Sequence, residues 1–173
     1  MINVIKGNLW SQFGAAIDML RNAIEKCPDD LWNSNRKFFY MSYHTLVFLD
    51  YYLTIPPKNF ASPLPFTLID HEKIPADAID DVMPNRFYTK PEILEYLDYG
   101  REKCRSLISG LTEPKLNDRF VEDVDQGKMD YPVLEILLYN MRHVQHHAAQ
   151  LNLLLRENMI DAPRWVGRTN DIL

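Results

Sequence analysis

Cysteine is scarce in this chain of 173 residues: there are two, Cys27 and Cys104, with no CxxC spacing. That excludes a disulfide-stapled secreted framework, and both thiols fall in segments that read as helix, where they are expected to be reduced packing residues. No uninterrupted apolar run is long enough to cross a bilayer. The amino terminus, MINVIKGNLWSQFGAAIDML, lacks the basic-then-apolar order of a signal peptide, so the expected location is the cytoplasm. Positive charge is also in deficit, with 19 Lys and Arg against 24 Asp and Glu and a formal net charge of -5. No basic field exists to gather phosphates, so neither nucleic acid nor a membrane is an expected partner. A glycine-rich phosphate loop, a dinucleotide fingerprint and a GxSxG elbow are missing, and so are internal repeats.

What is present is helical periodicity punctuated by proline. The length suits one domain over residues 1–173, and 46% hydrophobic residues supply a core without staples. Four long helices are predicted. The first covers 8–26, with Leu9, Phe13, Ala16, Ile17, Leu20, Ala23 and Ile24 at three- and four-residue steps and Pro28 behind it. The second covers 35–54; Arg36, Tyr43, Asp50 and Thr54 form one narrow polar stripe, so most of its circumference must be buried. The third opens at Thr89-Lys90-Pro91-Glu92, a capping-box pattern, and ends before Gly110. The fourth starts after Asp130, read as its N-cap, and runs to about Asn158.

Between the second and third helices lies a proline-rich stretch (Pro56, Pro57, Pro63, Pro65, Pro75, Pro84), longer than a tight turn needs and therefore read as a crossover. The connection 113–129 is polar, with a helical turn expected at 118–124; Glu122, Asp123 and Asp125 are expected to solvate it. Only a weak strand pattern at 66–69 competes, so the expected fold is all-α, a four-helix bundle with a long crossover between helices two and three.

The last predicted helix carries His143, His146 and His147. At about 100° per residue, His143 and His147 lie about 40° apart on one flank, while His146 is turned roughly 60° the other way. The apolar arc of Leu137, Met141, Val144, Ala148, Leu151 and Leu155 places the 143/147 pair beside the interior and leaves His146 facing solvent or a subunit. An i, i+4 pair can chelate one ion through imidazole nitrogens at about 2.0–2.1 Å, given a third ligand from another helix. His44, in FFYMSYHTLVFLDYYL, sits in an apolar setting where its ring nitrogens need partners. Against this, a buried histidine more often bonds a carbonyl or a tyrosine. His71, in the crossover, reads as a surface residue. Val144 follows His143, so the pair is not a zincin motif with a glutamate base. Tyr40, Tyr51, Tyr139, Asn140 and Gln150 are near the relevant flanks and read as core or supporting residues, so no acid or base is assigned.

The mid-helix histidine of MSYHTLVFLDYYL and the pattern His-x-x-His-His-x-x-Gln-Leu at His143, His146, His147, Gln150 and Leu151 resemble the DinB-like (YfiT-like) superfamily of metal-dependent enzymes. The order of elements, the crossover and the Arg164–Trp165 tail extend the resemblance over nearly the whole chain. It implies a divalent ion, zinc or nickel, on His44, His143 and His147, with a fourth position left open for water. It also implies a small-molecule substrate, with transfer of a low-molecular-weight thiol or thiol-dependent isomerisation among the family's activities, and a homodimer. Ala148 and Ala149 stand where the family commonly has arginine and glycine, which leaves the specific activity open. The expected protein is a metal-dependent transferase or hydrolase. The rivals are a non-enzymatic, metal-tethered dimeric helical bundle or stress-response scaffold, and a metal-free binding module.

Overall fold

The computed structural model describes residues 1–122, 128–158 and 160–173. It is mostly helical: α1 (Ile2–Lys26), a short α2 (Asp29–Ser34), α3 (Arg36–Tyr52), α4 (Lys90–Ser109) and α5 (Val133–Glu157). The four long helices close on one another, α1 lying against α4 and α5, and α3 against the same two. Their shared interior holds Trp10, Phe13 and Leu20 of α1, Phe38 and Leu49 of α3, Leu97 of α4, and Leu137 and Val144 of α5. Gly100 permits the close approach of α4 to α3, since a Cβ there would lie 3.1 Å from Leu49 Cδ2.

The helix ends follow local chemistry. The Asn35 side chain accepts the Phe38 N–H (3.0 Å) and caps α3. Thr89 and Glu92 form the expected capping box, with the Thr89 N–H donating to Glu92 Oε2 (2.8 Å) and the Glu92 N–H to Thr89 Oγ1 (3.4 Å). The α1 helix starts six residues earlier than predicted and runs through Gly7, which sits in open space at an exposed end, where its cost is only about 1 kcal/mol. After Pro28 the chain turns at once into α2, which sequence periodicity missed; Asp29 and Asp30 suit its first turn, and Trp32 packs edge-on against Phe38 and Phe39.

Two departures from an all-α fold are small antiparallel pairs. β1 (Phe66–Leu68) joins β2 (Val82–Pro84) inside the crossover, in the register Phe66↔Pro84 and Leu68↔Val82. The weak strand pattern at 66–69 was therefore real. β3 (Arg119–Val121) joins β4 (Asp130–Pro132), which corrects two expectations. Residues 119–121 are extended, the rest of the expected turn at 118–124 lying partly outside the described residues, and Asp130 is a strand residue rather than the N-cap of α5. Phe120, fully buried against Tyr52 and Ile136, explains why this connection pairs instead of coiling. Of the connection's carboxylates, Glu122 accepts from the Tyr51 hydroxyl (2.8 Å), while Asp123 and Asp125 lie outside the described residues.

Of the expected polar stripe, Arg36 is exposed and Thr54 half-buried just past α3, while Tyr43 and Asp50 face inward. Asp50, 1% exposed, accepts from Lys103 Nζ (2.5 Å) and from the Tyr96 hydroxyl (2.9 Å), and the Tyr43 hydroxyl donates to the Leu64 carbonyl (2.7 Å). These bonds tie α3 to α4 and to the crossover. Both cysteines are buried as expected; burial pushes the Cys27 thiol up to about 11 and raises that of Cys104 further, so neither is a ready thiolate. Removing the cation beside a buried carboxylate leaves it uncompensated, so Lys103→Met should destabilise the protein by about 3 kcal/mol in urea unfolding; an unchanged midpoint would contradict a structural role for this network.

Candidate metal centre

The packing of α3 on α5 brings together three imidazoles from distant parts of the chain. His44 Nε2 lies 3.1 Å from His143 Nε2. The ring centroids of His143 and His147 are 4.6 Å apart and those of His44 and His147 4.8 Å. One ligand atom from each of the three falls within 4.8 Å of the others, so the cluster is able to hold a metal ion. His44 and His147 are nearly closed to solvent, 9% and 6% exposed, whereas His143 is half-buried. Phe48 packs on the His44 ring (4.7 Å) and Tyr52 stands edge-on to His143 (6.0 Å), forming an apolar inner wall.

Two of the rings are oriented from behind. The Nδ1–H of His44 donates to Asp80 Oδ2 (2.9 Å), and the Nδ1–H of His147 donates to Gln150 Oε1 (2.7 Å). In each case the outer nitrogen is fixed and Nε2 turns toward the shared centre, the arrangement in which a supporting acceptor sets the tautomer of a ligating histidine. The Nδ1 of His143 is buried with no hydrogen-bond partner among the described residues, so that ring is held by packing and by its Nε2 contact with His44. Without an ion, one of its two nitrogens is unsatisfied whichever carries the proton. Facing Nε2 atoms, two anchored Nδ1 atoms and a neutral nitrogen donor set fit a divalent cation.

Electrostatics favours the neutral form of the α5 pair. Burial, then the neighbouring His147, His44 and His146, pull the His143 imidazole down to about 3. Burial and His44 lower that of His147 to about 4, against the opposing hydrogen bond from Gln150. Both are therefore unprotonated at neutral pH, as a ligand must be.

The remaining residues singled out in the sequence are placed as follows. His146 is on the exposed face of α5, its ring beside that of His147 (5.0 Å), and His71 is exposed in a 3-10 turn of the crossover. Asn140 is buried, and its Nδ2 donates to the Leu49 carbonyl (2.9 Å), a tie between α5 and α3 rather than a group at the centre. Tyr40 packs on Phe39, and Tyr139 stands edge-on to Tyr52. Asp80 was missed. It sits in the crossover just before β2, where its Oδ1 also accepts the Val82 N–H (3.1 Å), and no periodicity in that segment could have aimed it at His44. The sequence profile of one known family, described as the DinB superfamily, matches residues 12–151, most of the chain and all three histidines. No curated protein matches.

An imidazole in the unfolded chain takes up its proton near pH 6.5, whereas His143 and His147 resist it until about 3 and about 4. Below pH 6.5 the unfolded state binds more protons than the native one, so the stability these residues contribute is complete above that pH and is lost as pH falls. Chelator-treated protein should show a melting temperature that declines from pH 7 to pH 4, and His143→Gln/His147→Gln should flatten the decline; an equal slope in both would contradict the burial argument.

Proposed function

Because the chain belongs to the DinB superfamily, we propose that it is a metal-dependent enzyme of the thiol-transferase or hydrolase kind, built as a four-helix bundle of that family, with one divalent ion on His44, His143 and His147. The observation that carries this reading is the convergence of three imidazoles, two of them held from behind by Asp80 and Gln150. Zinc and nickel suit such a nitrogen set. Three protein ligands leave a coordination position for a reactant, which favours catalysis over a sealed structural tether.

When bound, the ion would supply Lewis acidity for activating a thiol or a water molecule. The chain's own residues do the rest. His44 and His143 turn their Nε2 atoms toward one another, and Asp80 and Gln150 hold the His44 and His147 rings through Nδ1. Phe48 and Tyr52 keep water off the inner side. Among the described residues the only carboxylate hydrogen-bonded to the triad is Asp80, and it is engaged by His44 and the Val82 amide. A site without a free base suits a low-molecular-weight thiol, whose proton leaves near pH 8.5, better than water.

Two measurements test the assignment. Elemental analysis should find about one divalent ion per chain in the wild type and none in His147→Ala, with circular dichroism showing helical content retained in both. Full occupancy in the variant would refute the ligand set. Asp80→Asn, which keeps the shape but weakens the acceptor, should lower zinc affinity about 10–100-fold in a competition titration; unchanged affinity would remove Asp80 from the account.

A further inference from the structure

A groove of about 660 Å³ runs along the outer flank of α5, between α1 and the C-terminal segment. Ala16 of α1, Arg142, His143, His146 and Ala149 of α5, and Trp165 are among its lining residues. His143 thus belongs to both the imidazole triad and the groove wall. The volume lies within the roughly 300–1,000 Å³ usual for small-molecule sites.

Two features of the groove have no partner among the described residues. Trp165 is 70% exposed, although the backbone around it is firmly held. The Thr169 N–H donates to the Ser11 carbonyl (3.1 Å), Trp10 Nε1 donates to the Asp171 carbonyl (3.1 Å), and Gln12 Nε2 donates to the Gly167 carbonyl (3.1 Å). Arg101 pairs with Asp171 (2.7 Å), and the Thr169 side chain lies where a Cβ on Gly14 would stand, 2.7 Å from Thr169 Cγ2. An exposed indole on an anchored backbone offers a stacking surface for which the backbone's share of the ordering cost is met before any ligand arrives. Arg142, exposed in the same groove, makes no hydrogen bond or ion pair among the described residues; Arg36, Arg156, Arg164 and Arg168 likewise make none, but of these five Arg142 is the one that lines the groove. In a chain of net charge -5, it is a free fork of donors set beside an aromatic face and a candidate metal ligand.

We propose that this groove is the substrate cleft and that it takes a small molecule with a flat apolar body and an oxyanion, the anion gripped by Arg142 and the flat body laid on Trp165. This rests on the reading of the triad as the reacting centre, since that is what turns a groove along His143 into a route for substrate. Carboxylate and phosphate share the required chemistry.

The test separates the two readings by using chelator-treated, full-length protein, so that groove binding is measured without any ion. Titration calorimetry compares 2-naphthoate, 2-naphthyl phosphate and the neutral 2-naphthamide. At least one anion should bind about tenfold or more tightly than the amide, consistent with a charged hydrogen bond, and which of the two binds tighter identifies the oxyanion. Arg142→Gln should bring that anion down to the level of the amide and leave the amide unchanged, whereas Trp165→Ala should weaken all three. Equal affinities for anion and amide, no binding of any probe at millimolar concentration, or indifference to Arg142→Gln would overturn the proposal. So would sedimentation showing a dimer that Trp165→Ala dissociates, because a second copy would then cover the groove. Zinc titrated into the same samples reports on the triad alone, so failure of the metal assignment would be seen separately.

Discussion

Two imidazole nitrogens from residues 99 apart in sequence face each other at 3.1 Å, His44 buried and His143 half-buried. Neither ring can relax easily. His44 is held from behind by Asp80, and His143 is wedged between α3 aromatics with its far nitrogen unsatisfied. Polar groups buried this way cost about 1–3 kcal/mol when unpaired. The fold sustains that cost because its four long helices enclose a continuous apolar core and because Asp50, Lys103 and Tyr96 lock α3 against α4. Strain of this kind concentrates at sites of function, and a cation between the facing nitrogens is the simplest way to use it.

The crossover, which packs no long helix of its own, gains a purpose from the same constraint. Its β1–β2 hairpin places Asp80 behind His44, and the Tyr43 and Tyr88 hydroxyls both donate to the Pro65 carbonyl, fixing the hairpin's base. The carboxyl-terminal segment plays a corresponding part on the opposite flank, where its bonds to α1 and α4 present Trp165 beside His143. The two irregular segments therefore meet the triad from different sides, the crossover through His44 of α3 and the carboxyl-terminal segment along the groove that His143 lines.

Much of this was legible in the sequence, for physical reasons. Helical periodicity and caps identified the four long helices, and the angles of positions 143, 146 and 147 relative to the apolar arc of the last helix separated the 143/147 pair from the exposed His146. His44 followed from the apolar surroundings of its helix. The failures were where contacts are non-local or short. Tyr43 and Asp50 of the polar stripe are buried because their partners, the Leu64 carbonyl and Lys103, come from other segments. The α2 helix is six residues long, too short to show a period, and the β3–β4 pair depends on Phe120 finding Tyr52. Asp80 reaches His44 through a hairpin register that no local pattern encodes.

The central claim is that the three imidazoles share one ion and leave it incompletely coordinated. X-ray absorption at the zinc edge of the zinc-loaded protein reads this directly. The account predicts three histidine nitrogens at about 2.0–2.1 Å, with the multiple scattering of imidazole rings, plus one further light atom that is replaced by sulfur at about 2.3 Å when a small thiol is added. A spectrum with fewer than three imidazoles, or one in which four protein ligands persist unchanged in the presence of thiol, would contradict it.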